Sequence, residues 1–270
     1  MTGRPVTVSD LAQSLQRYGI DKLYLSEKAS SALAEKRTGP EIPKPGRSNA
    51  QTSDQPFVKN YRVSSPETVA EKTERLRQLE EPLRECQECR LHSGRTNLVY
   101  GVGNPDADLM FIGEGPGRDE DLKGEPFVGR AGQLLTDMIV KGMKLRRDQV
   151  YIANVVKCRP PENRTPEADE METCVPNLHR QIEIVEPKLI VTLGAVPARG
   201  FLGDKTGITK LRGNWRWFGD IPVMPTLHPA YLLRNPAAKK DCWEDLKMAI
   251  AYLNGELDLE EPEGGGSSLF

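Results

Sequence analysis

The chain has few apolar residues for its length, and it lacks any run of apolar residues long enough to cross a membrane. Hydrophobic residues make up 37% of its 270 residues, and charged residues make up 28%. No segment approaches the roughly 20 apolar residues of a membrane helix, and the first residues lack the apolar core of a secretory signal. We therefore expect a cytoplasmic, monomeric protein with no membrane contact, part of which is disordered.

Cysteine is scarce, with five residues in the chain. Cytoplasmic thiols stay reduced, so metal ligation or free thiols are better interpretations than disulfides. Cys86 and Cys89 form a C-x-x-C pair, and Cys158 and Cys174 follow after 68 further residues with 15 between them. A zinc ribbon would close with a second C-x-x-C, whereas an iron–sulfur cluster accepts dispersed thiolates. The alternative is that Cys158 and Cys174 are small buried apolar residues.

The fifth cysteine, Cys242, stands beside Trp243 in a helical pattern, and we predict that it is a core thiol.

Neither sign of charge dominates, but the net charge of −2 hides a separation along the chain. Residues 1–65 hold ten Lys and Arg against six Asp and Glu, and residues 254–270 hold five acidic residues and no basic one. The part between them is nearly neutral, so binding to nucleic acid would need a local basic face.

Composition predicts three parts. Residues 1–65 are interpreted as a mostly disordered extension and linker, 66–253 as the folded domain, and 254–270 as an acidic flexible tail. Within the extension, apolar residues at helical spacing over 7–36 favour weak helices detached from the core. The alternative is a segment that folds on contact with a partner, such as a replication or repair protein.

Four short apolar runs punctuate the folded part: Leu109–Ile112, Val150–Ala153, Leu189–Leu193 and Ile221–Met224. Each run is continuous, as expected for strands buried on both faces. Helical patterns precede the first run and separate or follow the others, at 68–83, 131–143, 166–185, 195–202 and 237–253. We place the start of the third at Thr165 and Pro166. Alternating strands and helices predict a three-layer α/β/α fold with a central four-stranded parallel sheet.

Unusual loops follow these runs. The loop Gly113-Glu114-Gly115-Pro116-Gly117 leaves the first, Asn154 to Pro161 follow the second, Gly194 ends the third, and His228 follows the fourth. Carboxyl ends of parallel strands meet at one sheet edge, where open α/β sheets bind ligands. We therefore expect these loops to form one cleft.

The loop residues offer several kinds of chemistry, each with a plainer alternative. The loop from Gly113 lacks the lysine of a P-loop, but its glycines permit close approach of a ligand and Glu114 supplies a carboxylate. The plainer alternative for this loop is a tight strand-to-helix turn. Phe127 either packs in the core or stacks on a planar base. Basic residues beside the loops are solvated charges singly, but together they would line a phosphate track; they are Arg130, Lys157, Arg159, Arg164, Lys210, Arg212 and Arg234.

These motifs together resemble the family 4, iron–sulfur uracil-DNA glycosylases over about residues 75–253. The resemblance rests on the cysteine pattern, the loop from Gly113 to Gly117, Glu125–Gly129, Asn154–Pro161 and His228–Arg234. It implies a uracil-DNA glycosylase-like fold and a [4Fe-4S] cluster on Cys86, Cys89, Cys158 and Cys174. It also implies that uracil-containing DNA, single- or double-stranded, is the substrate, and that the reaction is the hydrolysis of base-excision repair.

The resemblance also implies roles for single residues. Phe127 would stack on the flipped uracil and Asn154 would pair with its edge. His228 would stabilise charge at O2, and Glu114 would position the attacking water. Further substrate contacts would come from Gly113, Gly115, Glu120, Asn163 and Arg234, with Leu232 or Leu233 as the wedge that fills the gap.

A related branch crosslinks to its product through a histidine in a basic insertion. The segment after Phe127 has neither, which favours ordinary turnover. The competing hypothesis is a non-catalytic iron–sulfur protein that binds DNA or senses redox state. Glu114, Asn154 and His228 argue against it, since a pure binder needs no such polar set in one cleft.

Overall fold

A six-stranded sheet organises the computed structural model, which describes residues 67–260. The strand order is β1-β3-β2-β4-β6-β5, with β1 at Val102–Gly103, β2 at Leu109–Gly113, β3 at Tyr151–Asn154, β4 at Leu189–Leu193, β5 at Arg216–Phe218 and β6 at Ile221–Thr226. The four inner strands are parallel, which confirms the predicted centre of the sheet. An antiparallel strand flanks it on each side. These edge strands have two and three residues, too short to show as apolar runs.

Eight α-helices surround the sheet in the described residues. They are α1 (Val69–Leu83), α2 (Arg118–Lys123), α3 (Arg130–Asp137), α4 (Ala168–Val185), α5 (Ala195–Leu202), α6 (Ile208–Leu211), α7 (Pro229–Arg234) and α8 (Lys239–Leu253). A π-helical turn, Met138–Gly142, continues α3, and short 3-10 turns lie at Arg90–Gly94, Arg147–Gln149, Pro161–Asn163 and Pro236–Ala238. The five predicted helical segments are thus present, and the three shortest helices, α2, α6 and α7, were not predicted.

Both faces of the sheet are covered, and β2 shows how. Met110 and Ile112 point into a core shared with α1, α4 and α5. Leu109 and Phe111 point to the other side, into a core shared with α3 and α8. Alternate residues of a strand face opposite sides, so a strand between two helical layers is apolar throughout. The three-layer α/β/α prediction is confirmed.

The start of α4 differs from the prediction at Thr165 and Pro166. The helix begins at Ala168, where the Glu170 carboxylate accepts a hydrogen bond of 2.8 Å from the Glu167 N–H. The Thr165 side chain instead hydrogen-bonds to Glu114. This bond from the N-cap N–H to the third helical residue is one half of a capping box, and Thr165 takes no part in it.

The strand ends meet as predicted. In the parallel register Gly113 lies opposite Asn154, and Leu193 lies opposite Thr226, two residues before His228. The loops after the four inner strands therefore leave the sheet at one edge. No helix within residues 67–260 has the length and apolar character needed to cross a membrane. Residues 1–65, and the tail beyond residue 260, lie outside the described residues, so their predicted disorder stays a prediction.

Candidate active site

The floor of the cleft consists of the ends of β2 and β3. Asn154 is 2% exposed, and its Oδ1 is buried without a hydrogen-bond partner among the described residues. A Cβ added to Gly113 would lie 2.4 Å from that oxygen and 2.6 Å from the Phe127 ring. Glycine is therefore needed here because the amide and the ring approach the backbone closely. A buried amide oxygen without a partner is costly, and this oxygen has the capacity to accept a hydrogen bond from a ligand.

Phe127 is fixed from both sides. Its backbone is left-handed, with a φ of 55°, a conformation that costs a non-glycine residue free energy. Arg147 donates to the Phe127 carbonyl at 3.0 Å and to the Pro126 carbonyl at 2.9 Å. A Cβ on Gly132, at the start of α3, would lie 1.8 Å from the Phe127 oxygen. The ring is buried against Gly113, so it is a core residue that also faces the cleft.

His228 caps α7. Its Nδ1 accepts a hydrogen bond of 3.1 Å from the Ala230 N–H, so in the neutral ring the proton sits on Nε2. Burial lowers the pKa of His228 to about 4, with a further decrease from Arg234 and a partial offset by Glu120. Its ring centroid lies 5.7 Å from that of Phe127. At neutral pH His228 is an uncharged Nε2–H donor beside the ring.

Glu114 is half-buried at the mouth of the cleft. Burial raises the pKa of its carboxyl, and a hydrogen bond from Thr165 partly offsets that increase. Main-chain bonds from Val155 to the Gly113 carbonyl, 2.9 Å, and from Val156 to the Glu114 carbonyl, 3.2 Å, join this loop to the one after Asn154. Gly115 lies against Val156, where an added Cβ would be 2.6 Å from a methyl group. Glu114 is thus a desolvated carboxylate on a fixed loop.

Glu120 connects two loops of the site. One carboxylate oxygen accepts from the Gly117 N–H at 3.1 Å, and the other accepts from the N–H groups of Val128 and Gly129, each at 3.0 Å. A carboxylate with three backbone donors is strongly held. Glu120 therefore ties the Glu114 loop to the segment that carries Phe127.

Asn163 and Arg234 lie farther out, and both are exposed. Asn163 has a left-handed backbone, with a φ of 56°, and its Oδ1 accepts from the Arg159 guanidinium at 2.7 Å. Arg234 lies at the end of α7 and acts on His228 through its charge. Neither side chain is placed at the floor of the cleft.

The two leucines of α7 point in different directions. Leu232 is 2% exposed and packs in the core with α3 and α8, whereas Leu233 is 36% exposed next to the exposed Tyr231. The prediction that allowed Leu232 as the wedge conflicts with this burial, because a side chain held in the core cannot enter DNA. Leu233 is the member of the pair that has access to a ligand.

The basic track is smaller than predicted. Lys157 is 2% exposed and its ammonium is bonded inside the protein. Arg164 pairs with Glu170 at 2.6 Å, and Arg212 pairs with the buried Asp245 at 2.6 Å. These three cations hold the fold instead of lining a surface. The exposed members are Arg130, Lys210 and Arg234, with Arg159 half-exposed.

All four predicted cysteine ligands line one cavity: Cys86, Cys89, Cys158 and Cys174. Leu83 and Leu98 are part of its wall, and Arg95 donates to the Cys158 sulfur at 3.3 Å. Burial raises the pKa of the Cys174 thiol to about 11. Within residues 67–260 no three His, Cys, Asp or Glu side chains converge closely enough to hold a single metal ion. Four soft sulfur donors around one apolar cavity form a donor set that suits an iron–sulfur cluster.

The fifth cysteine is separate from this cavity. Cys242 is buried in α8, where Thr226 donates to its sulfur at 3.3 Å, and it packs with the core on the other side of the sheet. The prediction of a core thiol is confirmed.

Comparison with known proteins gives a consistent result. A sequence profile of the Uracil DNA glycosylase superfamily matches residues 100–247. The chain is 48% identical over 180 residues to a type-4 uracil-DNA glycosylase of Thermotoga maritima. The aligned region covers 65% of this chain and 93% of that protein. It is 49% identical over 181 residues to a type-4 enzyme of Sulfurisphaera tokodaii, and that alignment covers 64% of this chain and 82% of the relative. A type-5 enzyme of Pyrobaculum aerophilum is less similar, 32% over 150 residues, covering 49% and 66%.

Proposed function

Since the chain belongs to the uracil DNA glycosylase superfamily and, within it, to the type-4 uracil-DNA glycosylases, we propose that its cleft takes up a flipped uracil and hydrolyses the N-glycosidic bond. The product is an abasic site in DNA, the first intermediate of base-excision repair. A base inside a duplex cannot reach a buried cleft, so the nucleotide must leave the stack first. The observation that carries the assignment to this cleft is the buried, unpartnered Oδ1 of Asn154.

Uracil fits that oxygen. Its N3–H donates to Asn154 Oδ1 while the amide nitrogen of the same side chain donates to O4. The Phe127 ring, which lies against Gly113 beside this amide, stacks on the face of the base. The base is thus held by its edge and by one face before any bond breaks.

Cleavage places negative charge on the departing base and positive charge on the sugar. The Nε2–H of neutral His228 donates to O2 as that charge develops, in the manner of an oxyanion hole. The Glu114 carboxylate orients the water that attacks C1′, and its charge stabilises the cationic sugar. Glu120 positions both loops through the backbone bonds described above.

Leu233 and the exposed basic residues meet the DNA around the flipped nucleotide. The exposed leucine on α7 fills the gap left in the stack, and Arg130, Arg159, Lys210 and Arg234 contact phosphates. Residues 66–253 form the glycosylase domain in this proposal. The hypothesis that residues 1–65 bind a replication or repair protein remains a prediction of the sequence.

A direct test of the proposed activity is release of free uracil from an oligonucleotide with one deoxyuridine. The purified chain should leave an alkali-labile abasic site at that position. The competing hypothesis, a non-catalytic iron–sulfur protein that binds DNA, requires binding of the same oligonucleotide with no release of base.

The rate of cleavage should depend on pH through Glu114. The ionised carboxylate is the active form, so the single-turnover rate should fall as pH decreases through the pKa of Glu114, which burial raises above 4.5. His228 should add no break near 6.5, because its pKa is about 4. Rates at saturating enzyme from pH 4 to 9 test this, with Glu114→Gln as the variant that should lose the acid limb. An acid limb that persists in this variant would assign the titration to another group.

We further propose that the four cysteines around the cavity hold a [4Fe-4S] cluster. The support is the donor set, four thiols with apolar walls, together with membership of the type-4 family. When bound, the cluster supplies structural crosslinks and no chemistry for hydrolysis. Cys86 and Cys89 come from the segment after α1, Cys158 from the loop after Asn154, and Cys174 from α4, so ligation would join three parts of the chain.

The purified protein should then be brown and contain about four iron atoms per chain. Cys174→Ser should lower the iron content and the melting temperature more than it alters the rate of the molecules that remain loaded, because metal binding is coupled to folding. Iron analysis, visible absorption and thermal melting measure this, with Cys242→Ser as the matched control that should keep its iron. Stoichiometric zinc without iron in the parent protein would contradict the proposal.

A further inference from the structure

Lys157 is a fully buried lysine that the proposed mechanism does not use. Its ammonium donates to the Asn154 main-chain oxygen at 2.8 Å and to Gln181 Oε1 at 2.5 Å. It also lies 5.9 Å from the centre of the Tyr100 ring. One of its three donors therefore ends on the residue assigned to uracil recognition, and its backbone directly precedes Cys158.

The cysteine cavity lies next to this ammonium. Among residues 67–260 no carboxylate forms an ion pair with Lys157, and a buried ammonium with neutral acceptors alone is unfavourable. Lys157 lines the same cavity as the four cysteines, and both its charge and its backbone interact with Cys174. Thiolates that hold an iron–sulfur cluster carry net negative charge, so this is where a compensating cation is needed.

Gln181 fixes the other side of the ammonium. Its Nε2 donates to the Tyr100 carbonyl at 3.1 Å and to the Tyr151 hydroxyl at 3.2 Å, which leaves its Oε1 directed to Lys157. The glutamine is itself fully buried on α4, the helix that also carries Cys174. The ammonium therefore cannot move without breaking a network that spans β3, α4 and the cysteine loop.

We propose that Lys157 is a positioning residue that couples the cysteine-bound centre to Asn154. The ammonium is held between the thiolates and Gln181. Its hydrogen bond to the Asn154 carbonyl fixes the position of Asn154 at the end of β3. This inference rests on the proposed function of the cleft. It predicts that the iron–sulfur centre influences base recognition through one hydrogen bond, without taking part in a redox step.

The test compares Lys157→Met with Lys72→Met. Lys72 is a matched control, since it is 4% exposed and donates to a main-chain carbonyl, that of Val185 at 3.1 Å, but pairs with Asp106 and touches neither cysteines nor Asn154. Lys157→Met should lower the single-turnover rate on uracil by about 10- to 100-fold, the range seen when an outer-shell partner of metal-ligating residues is lost. DNA affinity should stay within a few-fold. Lys72→Met should lower the melting temperature but keep the parent rate.

A second readout separates positioning from general destabilisation. Removing a positive charge next to the centre should shift its midpoint potential to a more negative value in Lys157→Met, since an added electron is then less stabilised. Lys72→Met should leave that potential unchanged. Lys157→Arg, which keeps the charge and donors, should recover part of the rate and of the potential.

The outcomes are distinct. Parent values of both rate and potential in Lys157→Met, or equal losses in Lys72→Met, would overturn the inference. If Lys157→Met does not fold, Gln181→Leu keeps the ammonium but removes its second anchor, and it should retain iron while losing rate; an unchanged rate would again refute the coupling. A parent protein that holds iron but releases no uracil would refute the proposed function instead, and the potential measurements would still decide the role of Lys157 at the cysteines.

Discussion

His228→Ala should slow cleavage of the uracil N-glycosidic bond by about 10²–10³-fold, the usual loss when one oxyanion donor is removed. DNA affinity should change little, because the proposed bond from His228 to O2 would strengthen only as charge builds on the leaving base. The structure supports this more strongly than the sequence did. The Ala230 N–H occupies Nδ1, so the neutral ring carries its proton on Nε2, the atom that the proposal needs as a donor.

Single-turnover kinetics at saturating enzyme measure the cleavage of the N-glycosidic bond separately from DNA binding and product release. The matched control is His179→Ala, since His179 is also half-buried, with a pKa lowered by burial to about 4, but packs against Phe201 and Phe218, away from the cleft. His179→Ala should lose stability and keep the parent rate. A parent rate in His228→Ala would show that the residue only caps α7.

The position of the cleft could be predicted from sequence because parallel sheets leave few choices. Four continuous apolar runs with helices between them put Gly113, Asn154, Gly194 and His228 at one edge, and the register confirms that convergence. The four cysteines also share a cavity as expected, although their separation along the chain gives no local signal for it. These predictions depended on the topology of the parallel sheet more than on the identity of single residues.

Side-chain direction could not be predicted in the same way. Lys157 and Arg159 are two residues apart in a loop, yet the first is buried and the second is half-exposed. Leu232 and Leu233 are adjacent on a single short helix and face opposite sides. A loop or a helix of six residues is too short for a periodic pattern, so burial there depends on tertiary contacts that only the fold reveals.

The residues that hold the site in place were the least visible in the sequence. Arg147 fixes the Phe127 loop through two carbonyls, and Gly132 allows that loop to pack on α3. Neither belongs to a motif that indicates chemistry. An arginine in a charged segment is usually solvated, and a glycine inside a helical pattern reads only as a weak helix former. Their roles follow from their contacts with the backbone of Phe127, and its left-handed conformation was not predicted either.

Asn154→Asp should severely reduce uracil excision, and it is the substitution that tests base recognition most directly. Uracil presents O4 and N3–H, whereas cytosine presents an amino group and an unprotonated N3. In the proposed site the parent amide would donate to O4 and accept from N3–H, so cytosine would leave buried donors and acceptors unpaired. The variant retains the acceptor and loses the donor. Its ionised carboxylate would oppose O4 of uracil and accept from the cytosine amino group, so trace attack on cytosine is the expected gain.

The measurement is the ratio of single-turnover rates on uracil and cytosine at one position of the same oligonucleotide. The control is Asn163→Asp, which makes the same change on an exposed asparagine bonded to Arg159; it should alter the uracil rate much less and leave cytosine intact. The substitution keeps an oxygen in the place of Asn154 Oδ1, which has no partner among the described residues, and it changes only the amide nitrogen, the donor assigned to O4. A parent uracil rate in Asn154→Asp would therefore mean that another residue recognises the base, and the cleft as assigned would not be the uracil site.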